Sequence, residues 1–182
     1  MSNNNAINIS EVHGSNHVTV DNHNDNSVHT HNHITINVFG SETIDHVESN
    51  TQLLDSCITN LKSGVPNIVD AIFFNPDVKE NNNVHIGSKG NPPSMLVYKQ
   101  VGNVLKWVAV DRSVAIHEMI QKGCDVLIKY NNIIYNLNRI DGCTWDYRSQ
   151  GISNIKSKKR GVYGPVRNQI ILNANQASKD NT

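Results

Sequence analysis

Residues 28–39 read VHTHNHITINVF. On an extended chain this puts Val28, Thr30, Asn32, Ile34, Ile36 and Val38 on one side and His29, His31, His33, Thr35, Asn37 and Phe39 on the other. Period two predicts a strand with one buried face. Shorter versions of the pattern, Ile7-Asn8-Ile9 and His17-Val18-Thr19-Val20, precede it, separated by Asn, Asp, His and Gly that read as turns. The first forty residues hold about ten aliphatic side chains, ten of the chain's 28 Asn and six of its nine His. Burial at ~25 cal/mol per Å² does not offset ~1–2 kcal/mol of backbone entropy per ordered residue. Two outcomes remain: an arm without fixed structure, or strands from several copies sharing one thin core. The β-branched alternation Ile34-Thr35-Ile36-Asn37-Val38 favours shared strands, and threefold closure leaves no exposed strand edge. The expected oligomerisation residues are Val28, Ile34, Ile36 and Val38, in a homotrimer.

His29, His31 and His33 share the other face, and imidazole is a good ligand for Fe, Ni, Cu or Zn. Three chains could ring an axis with them, as His-x-His elements do in the metal-holding tips of phage tail fibres, which these residues resemble. An axial transition-metal ion therefore stands as one expectation. A solvated polar face stands against it, because the apolar even positions compete for the inside. His46, His85 and His117 are isolated and read as structural or surface residues.

Formal charge is zero, yet the ends are opposed. The first cation is Lys62, so residues 1–61 carry only their seven acids, whereas residues 148–182 have a net charge of +6. Such asymmetry predicts separate roles for the ends. Within the basic end, Lys156, Lys158, Lys159 and Arg160 form a cluster, with Tyr163 and Arg167 beyond. These cations suit phosphate, making nucleic acid the alternative partner to another copy of the chain; a solvated, flexible tail is the plainer reading.

Residues 40–140 read as a compact unit. Ser41 is a candidate cap for a helix beginning at Glu42, and Asn50 or Thr51 for a second helix whose stripe is Leu53, Leu54, Cys57, Ile58 and Leu61. Gly64 is expected to end that helix, with Pro66 in the first turn of a third. Val84-His85-Ile86 is a short strand. Met95–Tyr98 and Leu105–Val110 flank Val101-Gly102-Asn103 as a hairpin, with Trp107 packing on the sheet. Asp111 caps a long helix over 112–136 with Val114, Met119, Ile120, Leu127, Tyr130 and Ile134 on one stripe. The expected fold is α+β. An N-terminal strand arm (1–39) leads to a domain of short helices, an antiparallel sheet and one long helix (40–140). A basic, partly flexible C-terminal segment follows (141–182).

Three odd, widely spaced cysteines give no disulfide framework and no zinc pair; Cys57 and Cys124 read as core residues. His117-Glu118 lacks a second His at Gln121, so no zinc-protease helix is present, and Gly87-Ser88-Lys89-Gly90 lacks the full phosphate-loop spacing. No catalytic constellation emerges. No apolar run is long enough to span a membrane, and the start carries no secretory signal.

Phe39-Gly40-Ser41-Glu42, then Phe73-Phe74-Asn75-Pro76, Glu80-Asn81-Asn82-Asn83-Val84-His85-Ile86 and Trp107 occur in an order and spacing that resemble a family of mimivirus-like proteins of giant nucleocytoplasmic DNA viruses. In that family an Asn-rich spacer leads into Phe-Gly-x-Glu, and the match covers residues 30–135. Lys79 stands where Pro is common and Phe73 where His is common. The family's N-terminal Cys2His2 finger is missing, so no zinc-finger role carries over. The resemblance implies viral origin, a place in the host cytoplasm or the virion, and an oligomerising spacer. The expected function is a non-enzymatic structural or interaction protein, a minor virion component meeting itself and other viral structural proteins. Nucleic-acid binding through Lys156, Lys158, Lys159, Arg160 and Arg167 is the alternative.

Overall fold

The computed structural model describes residues 35–87 and 93–180. The fold is α+β: six helices and a three-stranded antiparallel sheet. In chain order these are α1 (Asp45–Glu48), α2 (Thr51–Thr59), α3 (Leu61–Phe73), a 3₁₀ turn (Lys79–Asn81), β1 (Val84–Ile86), β2 (Ser94–Val101), β3 (Val104–Asp111), α4 (Arg112–Asn136), α5 (Gly142–Lys156) and α6 (Tyr163–Asp180).

Local signals set most of the boundaries. Asn50 caps α2, its side chain accepting from the Leu53 N–H at 3.0 Å. Asp111 caps α4 through the N–H groups of Ser113 and Val114, and Asp141 caps α5 through Thr144 at 2.7 Å. Each satisfies a donor that the helix leaves free, at about 1 kcal/mol. The hairpin turns on Gly102-Asn103, with Gly102 at φ +62°, where a side chain is strained. Helix α4 runs 25 residues, about 37 Å at 1.5 Å per residue, and forms the spine.

Two helix boundaries differ from the sequence reading. Ser41 caps nothing, since α1 begins at Asp45 behind Ile44. Gly64 does not end α2 but lies inside α3, which starts directly after Asn60. The reason is packing. A Cβ at Gly64 would fall on the Cys57 carbonyl, so glycine lets the two helices meet at a sharp corner. Pro66 consequently sits within α3 rather than at its start. Gly123 serves the α3–α4 crossing, where a Cβ would approach Val69 Cγ2 to 3.1 Å.

The strand order is β1-β2-β3, with Val84 opposite Val97, Tyr98 opposite Trp107 and Leu96 opposite Ala109. Alternation sends Val84, Met95 and Val97 into the core, while Leu96 and Trp107 face outward. β1 lies against α6, and β2 and β3 against α4; α3 packs on α2, α4 and α6.

The C-terminal segment requires a correction. Residues 141–180 are not a tail: Ile152, Ile155, Val166, Ile170 and Ala174 are buried in the same core as Val65, Ile68 and Met119. Val166, Ile170 and Ala174 recur every fourth residue along α6, a narrow stripe thinned by Asn and Gln, and the positive charge around them drew the sequence reading toward a flexible end. Val114 also departs from expectation, lying 51% exposed in the first turn of α4.

Residues 35–38 form no strand. Ile36 and Val38, expected on an intermolecular strand, are half-buried against their own body. Ile36 lines a hollow with Phe73, Phe74 and Val84. The backbone N–H groups of Asn37 and Phe39 donate to the Glu80 and Tyr98 carbonyls at 2.6 and 2.7 Å. The compact body therefore begins before the expected boundary at Phe39-Gly40. Val28, His29, His31, His33 and Ile34 lie outside the described residues.

Candidate functional site

Three features stand out. The first is a polar anchor under the point where the chain joins the body. Glu42 and Asn83 are buried without being apolar, and Asn81 is 1% exposed. Glu42 Oε1 accepts from the Gly40 N–H at 2.7 Å and from Asn83 Nδ2 at 2.8 Å, while Lys122 Nζ stands 3.0 Å from Oε2. The Lys122 ammonium also donates to the Gly40 carbonyl. Asn81 Oδ1 accepts from the Thr43 N–H and from Asn37 Nδ2, and its amide donates to the Thr43 and Ile72 carbonyls. Phe39 adds a ring contact to Phe73 at 5.7 Å. Residues singled out by the resemblance, Phe39, Gly40, Glu42, Phe73, Asn81 and Asn83, thus converge on one place. Their contacts run within the body and anchor the incoming chain to it.

The second feature is the outer face of the sheet. Leu96, Leu105 and Trp107 are 36%, 47% and 37% exposed on this face, while Val101 and Val104, exposed at the hairpin end, lie on the opposite face together with Lys99 and Lys106. Trp107 leans on Tyr98 and His85, with ring centroids 5.4 and 4.5 Å away, so it packs on the sheet as expected while leaving an edge to solvent. β3 is an end strand of the sheet, with no hydrogen-bonded neighbour beyond it among the described residues. Lys99 and Lys106 stand directly opposite each other, and neither makes an ion pair among the described residues.

The third is the basic end. The structure does not leave its five cations equivalent. Lys156 Nζ meets Asp125 Oδ1 at 2.5 Å. Arg167 lies within the electrostatic reach of Asp111, whose carboxyl is held below the ordinary range chiefly by its bonds to Ser113. Lys158, Lys159 and Arg160 occupy the turn between α5 and α6, where Lys158 takes a left-handed φ of +58°. This turn borders a groove lined by Lys62, Tyr147 and Arg148, residues that sequence clustering did not connect. The only sequence signal for them is helical spacing on α5, since Lys62 lies 86 positions before Arg148.

The remaining titratable groups read as structural. His46 Nε2 is 2.9 Å from the Ala71 carbonyl oxygen. Burial lowers the His85 pKa, and burial with the nearby Lys158 charge lowers that of His117. Burial pushes the thiols of Cys57 and Cys124 up to about 11 and about 12, the wrong direction for a nucleophile. Tyr130 Oη donates to Asp55 Oδ1 at 2.5 Å and Arg139 joins at 3.2 Å, a strap between α2 and the end of α4. Among the described residues no three His, Cys, Asp or Glu gather to hold a metal, and no helix is long and apolar enough to cross a membrane.

No protein-family model, curated protein or solved structure matches this chain.

Proposed function

We propose that this chain is a non-enzymatic structural or interaction protein that assembles with copies of itself, as a homotrimer, through strands contributed by its first 34 residues. The observation that supports this reading is the sheet, whose outer face leaves Leu96, Leu105 and Trp107 exposed and whose β3 edge has no hydrogen-bonded neighbour among the described residues. A strand added to an open edge gains backbone hydrogen bonds, and alternate side chains settle on the face. The occupant is the arm of a neighbouring copy. Residues 1–34 carry Glu11, Asp21 and Asp25 and no Lys or Arg, which complements the opposed Lys99 and Lys106. Val28 and Ile34 supply the apolar contacts for Leu105 and Trp107. The resemblance to giant-virus proteins makes a minor virion component, docked among other viral structural proteins, the setting in which to look for it.

Sedimentation velocity on the full chain and on the double variant Leu105→Glu/Trp107→Glu tests this. The full chain sediments at three times the 20.2 kDa protomer mass. The variant, with two negative charges facing the acidic arm, sediments at one, with an unchanged helical circular dichroism spectrum. A monomeric wild type, or a variant that stays trimeric, overturns the reading.

A further inference from the structure

A groove of about 810 Å³ runs between the α2–α3 junction and α5. Its floor is apolar, made of Ile58, Leu61 and Ile155. Gly151 permits that floor, because a Cβ there would stand 2.6 Å from Leu61 Cδ1. The walls carry the cations Lys62 and Arg148 and the amides Asn60, Gln150 and Asn154; no lining residue is acidic. Gln150 and Asn154 share one long bond of 3.3 Å. Neither Lys62 nor Arg148 makes an ion pair among the described residues. Asp55, whose carboxyl feels the Arg148 charge, is already engaged by Tyr130 and Arg139. Tyr147 also lines the groove and is 81% exposed, an unusual setting for a ring. Val162 closes one end, two residues from Arg160 in the turn that holds Lys158 and Lys159.

We propose that this groove binds a segment of single-stranded nucleic acid, which leaves it over the Lys158-Lys159-Arg160 turn. Cations without acids on the walls suit a phosphate chain. An exposed tyrosine beside them gives an unstacked base a face to lie on, a pairing that tolerates any base sequence. The three amides offer both donors and acceptors to base edges. The volume falls within the roughly 300–1,000 Å³ of ordinary ligand sites, room for about one or two nucleotides. A duplex keeps its bases stacked inside and cannot use Tyr147. An acidic peptide would satisfy the cations and leave the ring and the amides idle.

The test is fluorescence anisotropy of the full chain with a fluorescein-labelled 12-nucleotide oligo-dT at low and moderate salt. Binding weakens with salt, the slope of log K against log salt being about −0.7 per phosphate neutralised. Tyr147→Ala lowers affinity about tenfold and Tyr147→Phe leaves it unchanged. Lys62→Glu/Arg148→Glu abolishes binding while the thermal melt stays that of the wild type. Absence of binding at low salt overturns the proposal. So does binding lost only with Lys158→Glu/Lys159→Glu/Arg160→Glu and indifferent to Tyr147, which would mark a charged turn alone. Equal displacement of the oligonucleotide by a poly-glutamate peptide or by duplex DNA of the same length also overturns it. Because the groove lies away from the sheet, a failed trimer in sedimentation leaves these outcomes unaffected.

Discussion

A methyl group added at Gly64 has nowhere to go, since the Cys57 backbone fills its position. Gly64→Ala is therefore expected to cost about 3 kcal/mol or more, whereas the same change at Gly142, where nothing stands within 4 Å, is close to neutral. Urea unfolding of the two variants checks the contrast. Glu42 is the charged counterpart. Its carboxylate is buried against a part-exposed Lys122 that keeps its backbone acceptors, so Glu42→Ala mainly leaves the Gly40 N–H and Asn83 Nδ2 without an acceptor, at about 1–3 kcal/mol for each orphaned donor. Of the three thiols, Cys143 is exposed and Cys57 and Cys124 are buried with raised pKa. Mass spectrometry after brief alkylation at pH 8 should show one adduct on the folded protein and three in denaturant. The imidazoles of His85 and His117 are held below their ordinary 6.5 in the folded state. The unfolded chain takes up those protons first, so the contribution is full above that value and lost as pH falls through the folded-state pKa. Melting temperature should accordingly drop on mild acidification, and His85→Gln/His117→Gln should flatten that drop. Asp70, raised by burial, acts with the opposite sign, its contribution being lost as pH rises above the ordinary carboxylate value.

Elements whose signals are local were legible in the sequence. Asn50 and Asp111 cap helices through N–H groups two or three residues on, and Gly102 sits in the turn it was assigned, so pattern and geometry coincide. Asn81 and Asn83 read as loop residues because their partners Thr43 and Glu42 lie 38 and 41 positions away, a distance that no local pattern spans. Gly64 misled for a related reason. A glycine that ends a helix and one that allows two helices to touch look alike until the neighbour is placed. Helix α6 was missed because Val166, Ile170 and Ala174 form a stripe only one residue wide, beside a conspicuous run of positive charge. Ile170→Asp puts a carboxylate among α3 side chains and should destabilise the whole body by about 3 kcal/mol or more. A melt like the wild type's would return α6 to the status of an appendage.

For the whole molecule, the body is closed on itself while two surfaces are not. The core runs from Val47 to Ala174, joining the second and third of the regions that the sequence separated, and of the first region Phe39 packs against it, partly buried. The sheet's outer face and β3 edge stay open among the described residues, and the basic groove lies elsewhere, between the α2–α3 junction and α5. Removing residues 1–34 deletes no contact described in the body, since the first anchoring bond is made by Asn37. A cut after Phe39 would instead break the bonds of Asn37 and Phe39 and confuse loss of assembly with damage to the fold. The most direct measurement is the light-scattering mass of the full chain beside a chain starting at Thr35, over a hundredfold range of concentration. Three protomers for the full chain and one for the shortened chain are the predicted result; the same mass for both contradicts assembly through the arm.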